Sequence, residues 1–340
     1  MATPQIILTR KHQHAFFLVL TLSSDADLSE VSDAISGFTG RVRSVASRAP
    51  AANLVGIIGF GSQAWDRLFS GPRPTELHPF IALQGKHTAP STPGDILLHL
   101  KADTTDLCYE LATIVLGDFG ANVTVVDEVH GFRYFDMRDL IGFVDGTENP
   151  AGAQAVETIT CYDEAPTLAD GSYVTVQRYV TDMVKWNALA VDAQEDAIGR
   201  SKSENIEMSD DAKPANAHIA LNVVYDDEGN QLQIFRDNMP WGSAEGERGT
   251  YFIAYSSSPA ITERMLENMF IGDPVGNTDR LLDFTTAVTG SQFYVPPVEF
   301  VDDPPPVPDV IERTDGDDDE AAPAQPITSS DGSLGIGSLH

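Results

Sequence analysis

Cysteine is nearly missing from this chain: Cys108 and Cys161 are the only two in 340 residues. That excludes a disulfide framework and fits a reducing compartment. Basic residues are also scarce, 21 against 51 acidic ones, for a formal net charge of −30. Residues 301–340 hold ten of the acids, so most of the excess lies in the remainder. Such a surface disfavours nucleic acid and anionic membranes, and it slows the approach of anionic small molecules. No apolar run is long enough to cross a bilayer. The run at 16–20 follows Arg10 and Lys11 as a signal peptide would. It breaks at Thr21 and the polar Ser23-Ser24-Asp25 with no small-residue cleavage site, and reads instead as a first β-strand. A twin-arginine leader is absent too. The expectation is a cytoplasmic protein with neither a nucleic-acid nor a membrane partner.

What is present is ordinary in bulk. Hydrophobic residues make up 42% and charged residues 21%, enough for a globular core in a chain of two-domain length. Two halves share one rhythm. Residues 14–22, 53–60, 95–101 and 123–129 read as strands, with helical stretches at 27–35 and 105–116. In the second half, 172–180, 218–225, 231–235 and 250–256 read as strands, with helices at 182–190 and 259–270. Strand-to-helix units twice over predict a duplicated α+β sandwich, each half placing helices on one face of an antiparallel sheet.

The most informative segment is Leu140-Ile-Gly-Phe-Val-Asp-Gly-Thr-Glu-Asn-Pro150. It sets one carboxylate, Asp145, among apolar and turn-forming residues, bracketed by Gly142 and Gly146. Ile141, Phe143 and Val144 are expected to bury it, raising the free energy of its charged form. That makes Asp145 a candidate proton acceptor. A turn aspartate capping its neighbours' amides fits this segment equally well. Asp145-Gly-Thr also echoes an Asp-X-Asp-Gly-Thr phosphotransferase motif, but Phe143 stands where the nucleophile would be.

About ninety residues on, Ala217-His-Ile-Ala-Leu221 leads towards Gln233-Ile-Phe-Arg236-Asp-Asn238-Met-Pro-Trp-Gly242. With these segments in this order, the chain resembles the dye-decolorizing peroxidases. Their mark is the Gly-X-X-Asp-Gly motif, here Gly142 to Gly146. The likeness continues through residues 171–179 and 249–255 and covers most of 10–300. It implies tandem ferredoxin-like domains, at 1–150 and 151–300, with haem held mainly by the second. It also implies His218 as the iron ligand, with Asp145 and Arg236 facing hydrogen peroxide. Asn238 matches an asparagine of the bacterial B-type branch. No CxxCH motif is present, so the haem b would be non-covalent.

The chemistry suits those residue types. Neutral imidazole suits iron, and a carboxylate on its second nitrogen tunes it. Asp279 and Asp283 are both candidates for that partner. Arginine keeps its charge and can stabilise negative charge on a departing oxygen. The plainer role for Arg236 is an ion pair with one of the many acids. Asn238, two residues on, shares its face if the strand stays regular. Arg178, Glu148 and Asn149 are candidates for the haem edge or propionates. Met265 and Met269 read first as core filling. A haem carrier or deferrochelatase is the alternative function; it would need His218 but not Asp145 and Arg236 together.

Residues 301–330 carry Pro304, Pro305, Pro306 and Pro308, the acidic run 315–320, and Pro323 and Pro326. They read as a linker without a core. Residues 331–340 follow, where Leu334, Ile336 and Leu339 alternate with glycine and serine, as a peptide presenting anchors to a groove does. This end resembles the targeting peptide that loads some of these peroxidases into encapsulin nanocompartments. The partners expected are therefore hydrogen peroxide, dyes, phenolic or other small electron donors, an encapsulin shell, and further copies of the chain in a dimer or hexamer.

Overall fold

A computed structural model describes residues 2–308. The first half runs β1 (His14–Leu22), α1 (Leu28–Ala46), β2 (Val55–Phe60), β3 (Ile96–Ala102), α2 (Thr105–Phe119) and β4 (Val123–Phe132). In the second half come β5 (Ser172–Thr181), the short helix α3 (His218–Asn222), β6 (Met239–Gly242), β7 (Arg248–Ser256), α4 (Pro259–Phe270) and β8 (Ser291–Val295). The strands order β4-β1-β3-β2 in one half and β6-β7-β5-β8 in the other. Every pairing is antiparallel. Each half is thus a β-α-β-β-α-β unit of ferredoxin-like order, as expected. Two single bridges, Tyr294 to Phe60 and Trp241 to Gly131, join the halves and close the sheet on itself. Closure leaves none of the eight strands as a free edge along its whole length.

The near-continuous apolar run of β1 follows from burial on both faces. Phe17 and Val19 point into the closed sheet with Ile57, Leu97 and Val174. Phe16, Leu18 and Leu20 point out beneath the helices, against Ile35, Phe38 and Leu111. Each such side chain contributes roughly 1.5–3 kcal/mol by leaving water. Helix α1 begins where Asp27 accepts from the amides of Ser29 and Glu30. It runs past the expected end at residue 35, because Phe38 and Val45 keep the apolar face going through Gly37 and Gly40. Ser258 caps α4, and Pro259 supplies its preset first turn.

Three expectations change. The strand at 218–225 is instead a helical turn followed by Val224–Tyr225, which pairs with Gln231–Leu232. Its apolar alternation mimicked a strand, but the Leu221 amide reaches back to the Ala217 carbonyl. The strand at 231–235 breaks, since only Phe235–Arg236 pairs with β7. The helix at 182–190 ends at Asn187, and a second begins at Val191. Asp145 and Asn149, within the segment expected to end the first domain, bond to Asn238 and Arg236 of the second half. The folded body runs on through Pro308. Val301 is fully buried in the helix Val298–Asp302, and the Ser70 amide donates to the Pro306 carbonyl at 2.9 Å. The acidic run and the segment 331–340 lie outside the described residues.

Candidate active site

Period-two alternation on β5 and β7 builds the floor of a cavity on the outer face of the second half. Tyr179, Thr181, Thr250 and Phe252 line it, while Tyr251, Ile253 and Tyr255 point into the closed sheet. The cavity encloses about 210 Å³, and all of its lining residues lie at 139 or beyond. Helix α4 supplies a wall through Met265, Leu266 and Met269. The two methionines, read first as core filling, therefore face the cavity.

His218 lines it from α3. Its Nδ1 lies 2.7 Å from Oδ2 of Asp279, which is fully buried. With an ionised Asp279 accepting the Nδ1 proton, the tautomer is set and Nε2 keeps its lone pair. Asp279 is itself fixed by the Leu281 amide at 2.8 Å. Of the two carboxylates left open by sequence, it is the partner. Asp283 meets His87 and Lys86 instead.

The Gly-X-X-Asp-Gly segment forms another part of the wall. Gly142 and Gly146 both take positive φ, +93° and +77°, which side-chain-bearing residues rarely adopt. Trp186 pins the segment by donating to the Ile141 carbonyl at 3.0 Å. Asp145 is half-buried, and the Asn238 amide nitrogen is 3.4 Å from its Oδ1. Burial pushes up the carboxyl of Asp139, a cavity residue that sequence reasoning missed. It accepts from the Thr250 hydroxyl and from the Ile141 amide.

Arg236 and Asn238 line the cavity together, as their spacing predicts. Asn149 clamps Arg236 by its backbone, accepting from its amide at 3.0 Å and donating to its carbonyl at 2.6 Å. Among the described residues no carboxylate lies within ion-pair distance of the Arg236 guanidinium. The plainer ion-pair role is therefore not seen.

The peripheral candidates divide. Glu148 reaches the cavity but is paired with Arg200, which also meets Glu207 at 3.3 Å. Asn149 holds backbone and does not line the cavity. Arg178 does not reach it either; it pairs with Asp127 at 2.9 Å and lies over the Trp241 ring. Its place on β5 aims it away from the floor. Arg200, unremarked in the sequence, is the second guanidinium at the cavity. Only the pairing of distant loops brings it there.

An imidazole braced by a buried carboxylate, an apolar wall and two guanidiniums fit haem. Fold and cavity together define a protein of duplicated ferredoxin-like halves whose second half carries a site suited to haem.

Residues 4–133 match the family described as Dyp-type peroxidase, N-terminal, and residues 136–300 match Dyp-type peroxidase, C-terminal. A dye-decolorizing peroxidase from Rhodococcus erythropolis is 54% identical over 340 residues, covering 99% of this chain and 97% of that one. One from Mycobacterium tuberculosis is 53% identical over 339 residues, with the same coverage. Among solved structures, the encapsulated DyP-type peroxidase from Mycobacterium smegmatis has a TM-score of 0.88 at 54% identity, covering 91% of this chain and all of that one. DyPB from Rhodococcus jostii RHA1 has a TM-score of 0.85 at 50% identity, covering 88% of this chain and 97% of that one. The chain belongs to the dye-decolorizing peroxidase family. It is a haem peroxidase, an oxidoreductase acting on hydrogen peroxide. Among the described residues no helix is long and apolar enough to cross a membrane.

Proposed function

We propose that His218 would hold the haem iron through Nε2, and that Asp145, Arg236 and Asn238 would handle hydrogen peroxide in the same cavity. The observation that carries this reading is one cavity lined by the carboxylate-braced imidazole and by all three polar groups. When bound, haem supplies the two-electron reduction of peroxide and the later one-electron oxidation of donors. Asp279 keeps the His218 imidazole oriented and electron-rich. Asp145 takes the first proton of peroxide and returns it to the departing oxygen. The Arg236 guanidinium, uncommitted to a carboxylate, stabilises the charge that develops there. Asn238 holds peroxide beside Asp145. Arg200, with Glu148 at its side, is better placed than Arg178 to meet the haem propionates. Dyes, phenolic compounds or other small molecules would be the electron donors.

A purified holoprotein mixed with peroxide should change its Soret band rapidly and oxidise a phenolic donor. A Soret band that persists unchanged would make the protein a haem carrier or deferrochelatase.

We further propose that residues 331–340 dock the enzyme to an encapsulin shell in the cytoplasm. The Leu334, Ile336 and Leu339 pattern supports this, as does similarity to an encapsulated relative. Replacing Leu334, Ile336 and Leu339 with serine is expected to abolish co-purification with the shell and leave turnover in solution intact. Retained packaging would place the docking contacts in the folded body.

A further inference from the structure

Arg236, Asp237 and Asn238 form an extended segment whose side chains alternate. Arg236 and Asn238 face the cavity, while Asp237 turns the other way and is 5% exposed. There it meets Lys101 of β3, whose Nζ donates to Asp237 Oδ2 at 2.7 Å and to the Ile7 carbonyl at 2.9 Å. Lys101 is 1% exposed. Lys11 reaches the same place, with Nζ 3.3 Å from Asp237 Oδ1 and 3.3 Å from the Arg236 carbonyl. Two ammonium groups from the first half thus grip the strip that carries both peroxide-facing side chains.

Stability alone does not account for this arrangement. Apolar residues of similar shape usually serve a protein interior as well as a buried ion pair or better, and the best-attested use of such a pair is to fix geometry. Burial by itself would raise the Asp237 carboxyl; Lys101 and then Lys11 outweigh it and hold it well below the usual carboxylate range. The Asp237 carboxylate is therefore held in its charged form at neutral pH.

We propose that Lys101 and Asp237, assisted by Lys11, are positioning residues for the peroxide reaction. The first half, which gives no residue to the cavity wall, sets through them where Arg236 and Asn238 present their side chains. This rests on the distal role proposed above for those two residues.

The test uses haem-loaded Lys101→Met, Lys101→Arg and the double variant Lys101→Met/Asp237→Leu. Three quantities are read: haem per chain, the rate of Soret change with peroxide, and affinity for fluoride, an iron-binding anion that accepts hydrogen bonds from distal donors. Lys101→Met should keep haem, bind fluoride more weakly and react with peroxide roughly 10- to 100-fold more slowly, the scale of a 1 Å misplacement. Lys101→Arg should recover most of both. The double variant removes one charge of each sign, so it spares the net field and restores packing should the single variant fold poorly. It should still be slow. Wild-type fluoride affinity and rate in Lys101→Met, or recovery of the wild-type rate in the double variant, would overturn the proposal. If Arg236→Leu also reacts at the wild-type rate, the distal reading itself fails; if that variant is slow, only the positioning role does.

Discussion

His218→Ala is expected to yield a folded chain that retains little haem. On the proposed reading, the bond from His218 Nε2 would be the link to the iron, and much of the remaining cavity wall is apolar. The loss is compounded behind the ring. Asp279 is fully buried, and its Oδ2 loses the 2.7 Å partner that balances it. Leaving a buried acceptor without its donor typically costs about 1–3 kcal/mol, so the variant should also melt earlier. Asp279→Asn separates the two effects. It removes the buried charge while leaving the imidazole present, so haem should stay while its spectrum and potential shift. Haem titration followed at the Soret band, with far-ultraviolet circular dichroism for the fold, reads both. Full haem with an unchanged spectrum in His218→Ala would mean that another side chain holds the iron.

Arg236→Leu is expected to slow the reaction with peroxide more than Asp145→Asn does. Loss of a preorganised donor to a developing oxyanion typically costs roughly 3–4 kcal/mol, or about a hundred- to a thousand-fold in rate. Removal of a general base spans about a hundred- to ten-thousand-fold. The geometry places Asp145→Asn at the low end. Water can carry the proton in place of Asp145, whereas the neighbouring cations are committed elsewhere, Lys11 and Lys101 to Asp237 and Arg200 to Glu148. Arg200 is already paired with two carboxylates. Stopped-flow Soret changes on mixing with peroxide measure both rates. Unchanged rates in the two variants together would remove the distal assignment.

Much of the site was legible because it obeys local rules. Two positive-φ glycines bracketing an acid mark a turn that turns out to line a cavity. Arg236 and Asn238, two apart, share a face because an extended segment alternates. The apolar strand β1 could be read from its run and its breaks. His218 was placed by resemblance, while its local structure was misread: an apolar alternation of period two sits in a single helical turn. Arg200 and Asp139 escaped notice since each reaches the cavity only through packing between loops distant in sequence. Arg178 failed for a complementary reason. It lies on a strand that does line the cavity, but alternation cannot say which face is which until the sheet is placed. Closure of the sheet was equally invisible, resting on two single bridges between residues far apart in the chain.

That closure bears on how the polypeptide is made. Synthesis delivers β1 to β4 complete before β5 begins, and domains tend to organise from the N-terminus as the chain emerges. At that stage the concave side carrying Phe17, Val19, Ile57 and Leu97 has no lid, and the outer strands β2 and β4 have no neighbours beyond the nascent sheet. Open strand edges beside bare apolar surface are templates for wrong pairing. The cover, from Val174, Tyr251 and Phe293, arrives more than a hundred residues of translation later than β1. Lys101 likewise waits for Asp237. The cavity suited to haem, lined from Asp139 to Thr285, is complete only after most of the second half has been made. The nascent first half is the stage at which a chaperone matters most, and stalled or truncated chains ending before β8 are the species expected to aggregate.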